Sequence, residues 1–380
     1  MSSEPGPAAT PTDPFTALPG AVGSPPEHYG NPLGEQQRLA AGEAIVDLSD
    51  RAVLTITGPD RLSWLDSVTS QSLTHLAPGD SAETLLLDPT GRVQYAIRLL
   101  DDGVTAWLLL EASEAPGLLA WLTKMRFMLR VDLADVTPAY ATIGTFASPA
   151  ALTPATSFSP ALPFTPAAPN GVPLVWRDPW SAVQAGGHQY SPAADHPAAQ
   201  WTYSEVLVAR GELAAASALP VAGTIALEAL RVAAWRPRLV TEADDRTIPH
   251  ELDWLRSAVH LNKGCYRGQE TVAKVHNLGH PPRRLVMLHL DGSEGVFAEH
   301  GSPVVLDGVE VGQVTSAALH YELGPIALAV IKRSVDPSVA LTVQVGETLL
   351  SAAQEIIVPT DAGAEANVPR LPRLGAVTRG

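Results

Sequence analysis

The chain has 380 residues, with 25 Lys and Arg against 40 Asp and Glu and a formal net charge of −15 at pH 7. This charge argues against a general nucleic-acid-binding protein, because phosphate contacts need clustered cations. A hydrophobic content of 46% suffices for full-sized cores, and the length suggests two or three domains. The single cysteine excludes an internal disulfide framework and any zinc or iron–sulphur site held only by this chain's thiolates.

The N-terminal segment and the hydropathy of the chain predict a cytoplasmic protein without a membrane partner. Residues 1–7 lack the cationic start and the apolar run of a secretory signal. The most apolar stretch, 104–122, is interrupted by Glu111, Glu114 and Pro116, so it is a poor candidate for a membrane span.

Two Pro-rich segments are predicted to lie outside the compact part of the chain. Residues 1–27 contain seven prolines among small residues. This composition predicts a disordered leader, because it buries too little apolar surface to offset the entropy of ordering. A second stretch, about 148–172, is nearly all Pro, Ala, Ser and Thr and is predicted to be an insertion.

Helix and strand patterns alternate between these segments, which is typical of an α+β fold. Leu118, Trp121, Leu122 and Met125 recur at the spacing i, i+3, i+4 and i+7, which predicts an amphipathic helix. The same criteria predict strands at 53–56, 130–133 and 174–177 and helices at 62–68 and 225–234.

The pattern changes to short strands after Pro281 and predicts a small β-barrel or sandwich over 281–350. Asp307 and Gly308 separate two apolar runs and predict a two-residue type I′ turn, since both residue types tolerate positive φ. Further strands are predicted at 285–290, 313–316, 327–331 and 341–345. Residues 351–380 are polar and rich in Ala and Pro, and we expect a loosely held tail.

The segment Lys263-Gly264-Cys265-Tyr266-Arg267-Gly268-Gln269-Glu270 carries the most information about function. Its glycines permit close backbone approach, and Lys263 and Arg267 would favour a thiolate at Cys265 if their side chains converge on the sulphur. The alternative is that Cys265 is a small buried hydrophobic residue, which is the more common state of a lone cysteine.

Other chemical motifs are weak. His276 and His280 are four residues apart, but Gly279 and Pro281 interrupt any helix that would bring them together, so a metal-ligand pair is not expected. The sequence has no Gly-rich nucleotide-binding motif and no GxSxG motif of serine hydrolases. A Cys–His hydrolase stays open, although its partner cannot be chosen among 11 histidines.

The stretch 263–270 resembles the KGCYxGQE signature of the YgfZ family, folate-binding proteins that support assembly or repair of iron–sulphur enzymes. Similar features occur in the expected order at 46–49, 57–60, 87–92, 228–231 and 248–252. The segments 311–316, 326–329 and 332–333 are similar to the C-terminal barrel of the glycine-cleavage aminomethyltransferases, or T-proteins. The resemblance covers about 28–350, apart from the Pro-rich insertion.

This resemblance implies a T-protein-like, multi-domain α+β ring around a central tetrahydrofolate site. The folate-binding region would span 28–280 and the C-terminal β-barrel 281–350. An acidic pteroylglutamate needs local cations. The resemblance therefore places Arg231, Lys263 and Arg267 near it. The resemblance implies Cys265 and Lys263 as catalytic residues, and as folate-binding residues Lys263, Tyr266, Arg267, Gln269, Glu270 and Arg231.

Two departures separate the chain from the T-proteins. Where T-proteins carry an acidic pair that includes the catalytic aspartate, this sequence has Tyr95 and Ala96. In the T-protein helix pattern LRxEAG, Ala233 replaces the pterin-binding glutamate and Trp235 replaces the glycine. Pterin recognition must therefore differ, and Trp235 either stacks on a ligand ring or packs in the core.

Three hypotheses for function follow. The first is a folate-binding accessory protein that supports assembly, insertion or repair of iron–sulphur clusters, with transient contacts to client enzymes or cluster carriers. The second is a tetrahydrofolate-dependent aminomethyl or methyl transferase, against which the missing acidic pair weighs. The third is an adaptor whose folate pocket is vestigial. Whether the protein turns over a substrate stays open at this point.

Overall fold

The computed structural model describes residues 13–147, 165–293 and 295–366. The helices within them are α1 (Pro32–Ala40), α2 (Arg61–Val68), α3 (Ala115–Met125), α4 (Leu213–Ala216), α5 (Thr224–Ala233), α6 (Leu239–Glu242) and α7 (Gln269–Leu278). The strands are β1 (Ile45–Asp47), β2 (Ala52–Thr57), β3 (Ser81–Leu87), β4 (Val93–Asp101), β5 (Thr105–Leu110), β6 (Asp132–Asp135), β7 (Tyr140–Thr145), β8 (Val175–Arg177), β9 (Ser204–Ala209), β10 (Val221–Ala222), β11 (Arg283–Leu290), β12 (Pro303–Leu306), β13 (Val309–His320), β14 (Gly324–Lys332), β15 (Leu341–Val345) and β16 (Thr348–Ile356). None of the described helices is long and apolar enough to cross a membrane.

The first sheet has the strand order β3-β4-β5-β2-β6 and is antiparallel throughout. Helix α3 covers one face of it. Leu118 and Leu122, one turn apart on that helix, share an apolar cluster with Leu54 of β2 and Leu108 of β5. The predicted amphipathic helix and the predicted strand at 53–56 are therefore both present and pack together.

The second sheet has the order β10-β1-β7-β9-β8, in which only the pair of β1 and β10 is parallel. The largest core cluster joins both sheets, α1, α5 and the outer face of the barrel strands β11 and β14. Four tryptophans of this cluster are fully buried, namely Trp176, Trp180, Trp235 and Trp254. This junction is where the three parts of the molecule meet.

The barrel has the order β11-β14-β13-β12-β15-β16 and closes by pairing β16 with β11. The predicted turn is present, with φ of 51° at Asp307 and 79° at Gly308, as a type I′ geometry requires. The strand predicted at 313–316 is part of the longer β13, which bends at an irregularity between Val314 and Ser316. The predicted α+β fold with a C-terminal β-barrel is confirmed.

The expectation of a disordered leader is wrong for residues 13–27. Phe15 is fully buried in a cluster with Ile143 and Val206 of the second sheet, and Val22 pairs with His28 in an isolated bridge. Burial of one large aromatic side chain is enough to anchor a segment that composition alone describes as polar and Pro-rich. Residues 1–12 of the predicted leader lie outside the described residues.

The predicted start of the loose tail, residue 351, is placed too early in the chain. Most of β16 lies beyond that boundary, and Ile357 and Val358 are buried. The main-chain N–H groups of 364–366 then donate to the carbonyls of 275–277, which belong to the last turn of α7. Residues 367–380, and 148–164 of the predicted insertion, lie outside the described part of the chain.

Candidate functional site

A cavity with about 70 Å³ of space for water-sized molecules lies where the two sheets meet α5. We call it the central cavity. Its lining residues are Arg51, Glu83, Ala96, Arg98, Glu111, Glu114, Trp176, Asp178, Trp201, Tyr203, Glu205, Leu227, Glu228, Arg231, Arg236, Pro237, Arg238, Leu239 and Trp254.

Arginine–carboxylate pairs form one wall of the central cavity. The guanidinium of Arg51 bonds to Glu205, and Nη1 of Arg98 lies 2.9 Å from the same carboxylate oxygen. Burial opposes ionisation of Glu111, but Arg51 and Arg98 each lie 3.7 Å from its Oε1. Their charges prevail and lower the pKa of Glu111 to about 2, so this carboxylate is ionised at neutral pH.

Arg231, which the resemblance implied as a folate-binding residue, lines the central cavity, but its guanidinium is committed to protein partners. It donates to Glu242 Oε2 at 2.9 Å, to Ser316 Oγ at 2.6 Å and to Glu228 Oε1 at 2.5 Å. Glu242 is in α6 and Ser316 is in β13 of the barrel. Arg231 therefore ties α5 to both elements and closes the cavity on the barrel side.

Several buried polar atoms of the lining residues have no hydrogen-bond partner among the described residues. They are Oε1 of Glu111, Oε1 of Glu114, Oε2 of Glu205, Nη1 of Arg236, Nε of Arg238 and Nε1 of Trp254. A buried polar atom without a partner costs on the order of 1–3 kcal/mol. A polar ligand that pairs with these atoms would remove that cost, so the lining is suited to binding.

The donor and acceptor set of the central cavity fits a pteroylglutamate. The amino-oxo edge of a pterin presents N–H groups, which carboxylates such as Glu205 accept. Trp201 and Tyr203 offer aromatic faces for its rings. Arg236 and Arg238 supply the forked cationic donors that match the carboxylates of the glutamate portion. The described residues form no group of three or more His, Cys, Asp or Glu that could hold a metal ion.

The two departures from the T-protein pattern lie in and beside this cavity. Ala96 lines it at the place where T-proteins carry an acid. Trp235 follows α5 in the left-handed conformation, with φ of 58°, a position that usually takes glycine. Its indole is fully buried and its Nε1–H donates to Met287 Sδ at 2.9 Å. Trp235 therefore packs in the core and does not line the central cavity.

The segment 263–270, here called the signature loop, lies outside the central cavity. Of the site residues predicted from the sequence, only Arg231 lines the cavity among the described residues. The side chain of Lys263 is 3% exposed, and its ammonium donates to the carbonyls of Asp66, Thr69 and Gln71 at 2.5, 3.0 and 2.7 Å. The carbonyl of Asp66 lies in the last turn of α2, and those of Thr69 and Gln71 follow the helix. Lys263 thus clamps the end of that helix, where a cation is favoured.

The rest of the signature loop divides into a packed and an exposed part. Tyr266 is buried, with its ring centroid 5.4 Å from the Lys263 ammonium, and Gln269 Nε2 donates to the Lys263 carbonyl at 3.2 Å. Cys265 and Glu270 are exposed. Arg267 reaches Gln94 at 3.4 Å and lies over the ring of Trp121.

A glycine at position 268 is required by close packing. Its φ is 83°, and a Cβ there would lie 2.6 Å from the carbonyl oxygen of Asp88 and 3.0 Å from Gly91 Cα. The signature loop therefore packs against the turn between β3 and β4, which is part of 87–92, another segment of the resemblance. Much of the signature is explained by this packing rather than by ligand contact.

Sequence reasoning missed most of the cavity lining, including Arg51, Arg98, Glu205 and Arg236. These residues come from separate elements, so no short motif contains them. One signal was available: Arg98 and Glu205 interrupt apolar strands, β4 and β9, at positions that proved partly or fully buried. A charged residue within an otherwise apolar strand indicates a buried pair or a ligand site.

These features define a T-protein-like α+β protein with a charged central cavity. Residues 283–358 match the family model of the glycine cleavage T-protein C-terminal barrel domain. The solved structure of the glycine cleavage system aminomethyltransferase T from Bartonella henselae superposes with a TM-score of 0.65, covering 88% of this chain and 91% of that one at 17% identity. The chain has the fold of that protein.

Two relatives are similar over most of the sequence. A chloroplastic protein of Arabidopsis thaliana, named "Putative transferase", is 25% identical over 335 residues, which are 83% of this chain and 71% of that one. An aminomethyltransferase of Rippkaea orientalis is 26% identical over 334 residues, 82% of this chain and 84% of its own. The chain is therefore similar to aminomethyltransferases both in sequence and in fold.

Proposed function

We propose that this protein is a folate-binding accessory protein that supports assembly, insertion or repair of iron–sulphur clusters in client enzymes. The observation that carries the folate part is the central cavity, whose unpartnered carboxylate, guanidinium and indole atoms match a pteroylglutamate. Its similarity to aminomethyltransferases supports the same ligand class. Tetrahydrofolate is the form we propose.

The iron–sulphur part of the proposal rests on the resemblance of the signature loop to the YgfZ family and on the exposure of Cys265. An exposed thiol is accessible to a client enzyme or to a cluster carrier. The chain has one cysteine, so it can supply at most one ligand to a cluster, and the contact would be transient or shared. The cluster is cargo in this proposal, and a cytoplasmic location stays a prediction.

The roles of the signature-loop residues also stay predictions, with one refinement. Lys263 acts here by holding the loop, because its ammonium is occupied by main-chain carbonyls. Cys265 is proposed as the functional thiol. Contacts of Tyr266, Arg267, Gln269 and Glu270 with folate would require a ligand that extends beyond the central cavity, since none of them lines it.

Calorimetric titration of tetrahydrofolate, under anaerobic conditions, tests the folate part. We expect micromolar binding to the wild type and at least tenfold weaker binding to Arg238→Gln, about 1.4 kcal/mol. Arg238 Nε has no hydrogen-bond partner among the described residues, and the one ion pair that the substitution removes there is the long contact of Nη1 with Glu228 Oε2 at 3.7 Å. Arg246→Gln, at a side chain 71% exposed, is the matched control. Absence of binding to the wild type would favour the adaptor with a vestigial pocket.

Cellular complementation tests the iron–sulphur part. In cells that lack this protein, we expect the wild type to restore the activity of iron–sulphur enzymes and Cys265→Ala to fail, although it folds and binds tetrahydrofolate normally. Full restoration by Cys265→Ala would rule out a thiol role. Restoration by neither the wild type nor the variant would contradict the iron–sulphur function and leave folate binding untouched.

A second candidate is a tetrahydrofolate-dependent aminomethyl transferase. It is favoured by the similarity to aminomethyltransferases and by the presence of Glu114 in the same cavity as Ala96. The absence of a carboxylate at Tyr95 and Ala96 weighs against the T-protein reaction. Tetrahydrofolate-dependent release of ammonia or formaldehyde from an aminomethyl donor would establish this candidate.

A further inference from the structure

The lining of the central cavity contains a carboxylate that differs from all its neighbours. Each of the other described acidic residues of the lining lies within 4 Å of an arginine nitrogen, namely Glu83, Glu111, Asp178, Glu205 and Glu228. Glu114 has no such pair among the described residues. Its Oε2 accepts the main-chain N–H of Glu111 at 3.1 Å, while its Oε1 is buried without a partner.

The backbone explains how Glu114 reaches this position. The pairing of β4 with β5 ends with Arg98 opposite Leu109, and Ala96 and Glu111 each lie two residues beyond this last pair. The chain then turns into α3, whose N-cap residue is Glu114. Glu114 and Ala96 both line the central cavity. A neighbouring element thus supplies a carboxylate to the cavity wall that lacks one at Ala96.

We propose that Glu114 exchanges a proton with an amine nitrogen of the reduced pterin ring bound in the central cavity. This inference rests on the proposed folate binding. The proton leaves Oε1 of the neutral carboxyl group and is taken up by the lone pair of the amine. The resulting carboxylate keeps the N–H bond of Glu111, and the reverse transfer restores the starting state.

The electrostatic surroundings support this role. Burial raises the pKa of Glu114 to about 7, whereas the adjacent Glu111 has a pKa of about 2. The charged and titratable groups that face Glu114 are Arg98 and Tyr95 of β4, Arg51 before β2, and Glu111 after β5. Neighbouring carboxyl groups whose environments separate their pKa values in this way are typical of a proton-transfer site.

Proton uptake on binding is the decisive measurement. Titrating tetrahydrofolate calorimetrically in buffers of different ionisation enthalpy gives the number of protons taken up. We expect the complex to keep one proton shared between Glu114 and the amine. In the free protein, a group with a pKa of about 7 is almost fully protonated at pH 5.5 and half protonated at pH 7. Proton uptake on binding should therefore rise from near zero at pH 5.5 to about half a proton at pH 7.

The variants separate a proton-exchanging role from a merely structural one. Glu114→Gln should bind tetrahydrofolate with no pH-dependent uptake, whereas the exposed control Glu347→Gln should behave as the wild type. Folic acid, whose oxidised ring has no such amine, should show no uptake that depends on Glu114. Identical proton uptake by the wild type and Glu114→Gln would overturn the proposal.

A second readout separates a failure of this inference from a failure of folate binding. In the ligand-free protein, carbon-13 NMR of the Glu114 carboxyl group reports its titration directly. A midpoint near 7, lost in Glu114→Gln, supports the titration of Glu114 that the proposed exchange with the pterin amine requires. A midpoint below 5.5 would overturn the inference without bearing on folate binding.

Discussion

The central cavity and the signature loop contrast in almost every physical respect. The cavity lies at the junction of two sheets, and charged residues of its lining keep buried polar atoms that have no partner in the part of the chain that the structure describes. The signature loop lies at the surface, yet its one buried cation, Lys263, has its hydrogen bonds satisfied by main-chain carbonyls. A conspicuous motif can therefore stabilise a fold, while the residues suited to bind a ligand are scattered along the chain.

The largest expected effect comes from removing Arg231, where the cavity wall meets the barrel. Arg231→Ala leaves Glu242 buried and without its main counter-charge, so we expect a loss of about 3–5 kcal/mol in the free energy of unfolding. Chemical denaturation measures it, with the exposed Arg246→Ala as control. A loss below 1 kcal/mol would show that the network joining α5, α6 and β13 contributes little.

Lys263→Ala tests whether the signature loop is structural. The substitution leaves three carbonyls at the end of α2 without their donor, and we expect a loss of about 2–3 kcal/mol in unfolding free energy. The affinity for tetrahydrofolate should stay within twofold of the wild type. Lys274→Ala, exposed on α7, is the control. Unchanged stability with weakened binding would reverse the comparison and return Lys263 to the ligand site.

The carboxyl groups of Glu111 and Glu114, which follow β5, should affect the pH dependence of the free energy of unfolding in opposite directions. The pKa of Glu111 is lowered to about 2, so its ionised form stabilises the fold above pH 4.5 and that contribution is lost as pH falls towards 2. The pKa of Glu114 is raised to about 7, so the fold loses stability as pH rises from 4.5 to 7.

We therefore expect Glu111→Gln to destabilise the protein by about 2 kcal/mol at pH 7 and by less at pH 3.5. Glu114→Gln should stabilise it by about 2 kcal/mol at pH 8 and have no effect at pH 4. Urea denaturation of both variants across this pH range provides the measurement. Equal signs for the two substitutions would contradict the distinct environments of Glu111 and Glu114.

The smallest effect is expected at Cys265. Because this side chain is exposed, Cys265→Ser should change the free energy of unfolding by less than about 0.5 kcal/mol. A thiol reagent should label one group in the native wild type at the rate of an accessible cysteine. Slow labelling, or a marked loss of stability, would indicate that Cys265 is a packed residue instead.

Sequence patterns predicted the elements whose signal is local. The apolar spacing of 118–125 determines a face of α3, and Asp307-Gly308 determines a turn that few other dipeptides adopt. Local patterns misjudged the segments whose order depends on distant partners. Phe15 is anchored by strands far along the chain, and 364–366 by the end of α7.

The candidate site was only partly accessible to the same reasoning. Arg231 was singled out because it belongs to a recognisable helix pattern, and it lies in the cavity wall, while its role in folate binding stays a prediction. Arg51 and Glu205 are 154 residues apart in sequence and meet in a buried pair. Nothing in the sequence near either residue specifies the other, because the pairing is set by how the two sheets pack.

The sequence by itself determined the α+β class, the barrel strands and the presence of one cysteine between two cations. These features follow from local periodicity, turn chemistry and composition, which act over a few residues. Only the tertiary structure decided that Lys263 is occupied by the end of α2 and that, within the described parts of the chain, Glu114 forms no ion pair with an arginine. Burial and the distances between charges arise when separate elements pack, and they determine which groups are free to act on a ligand.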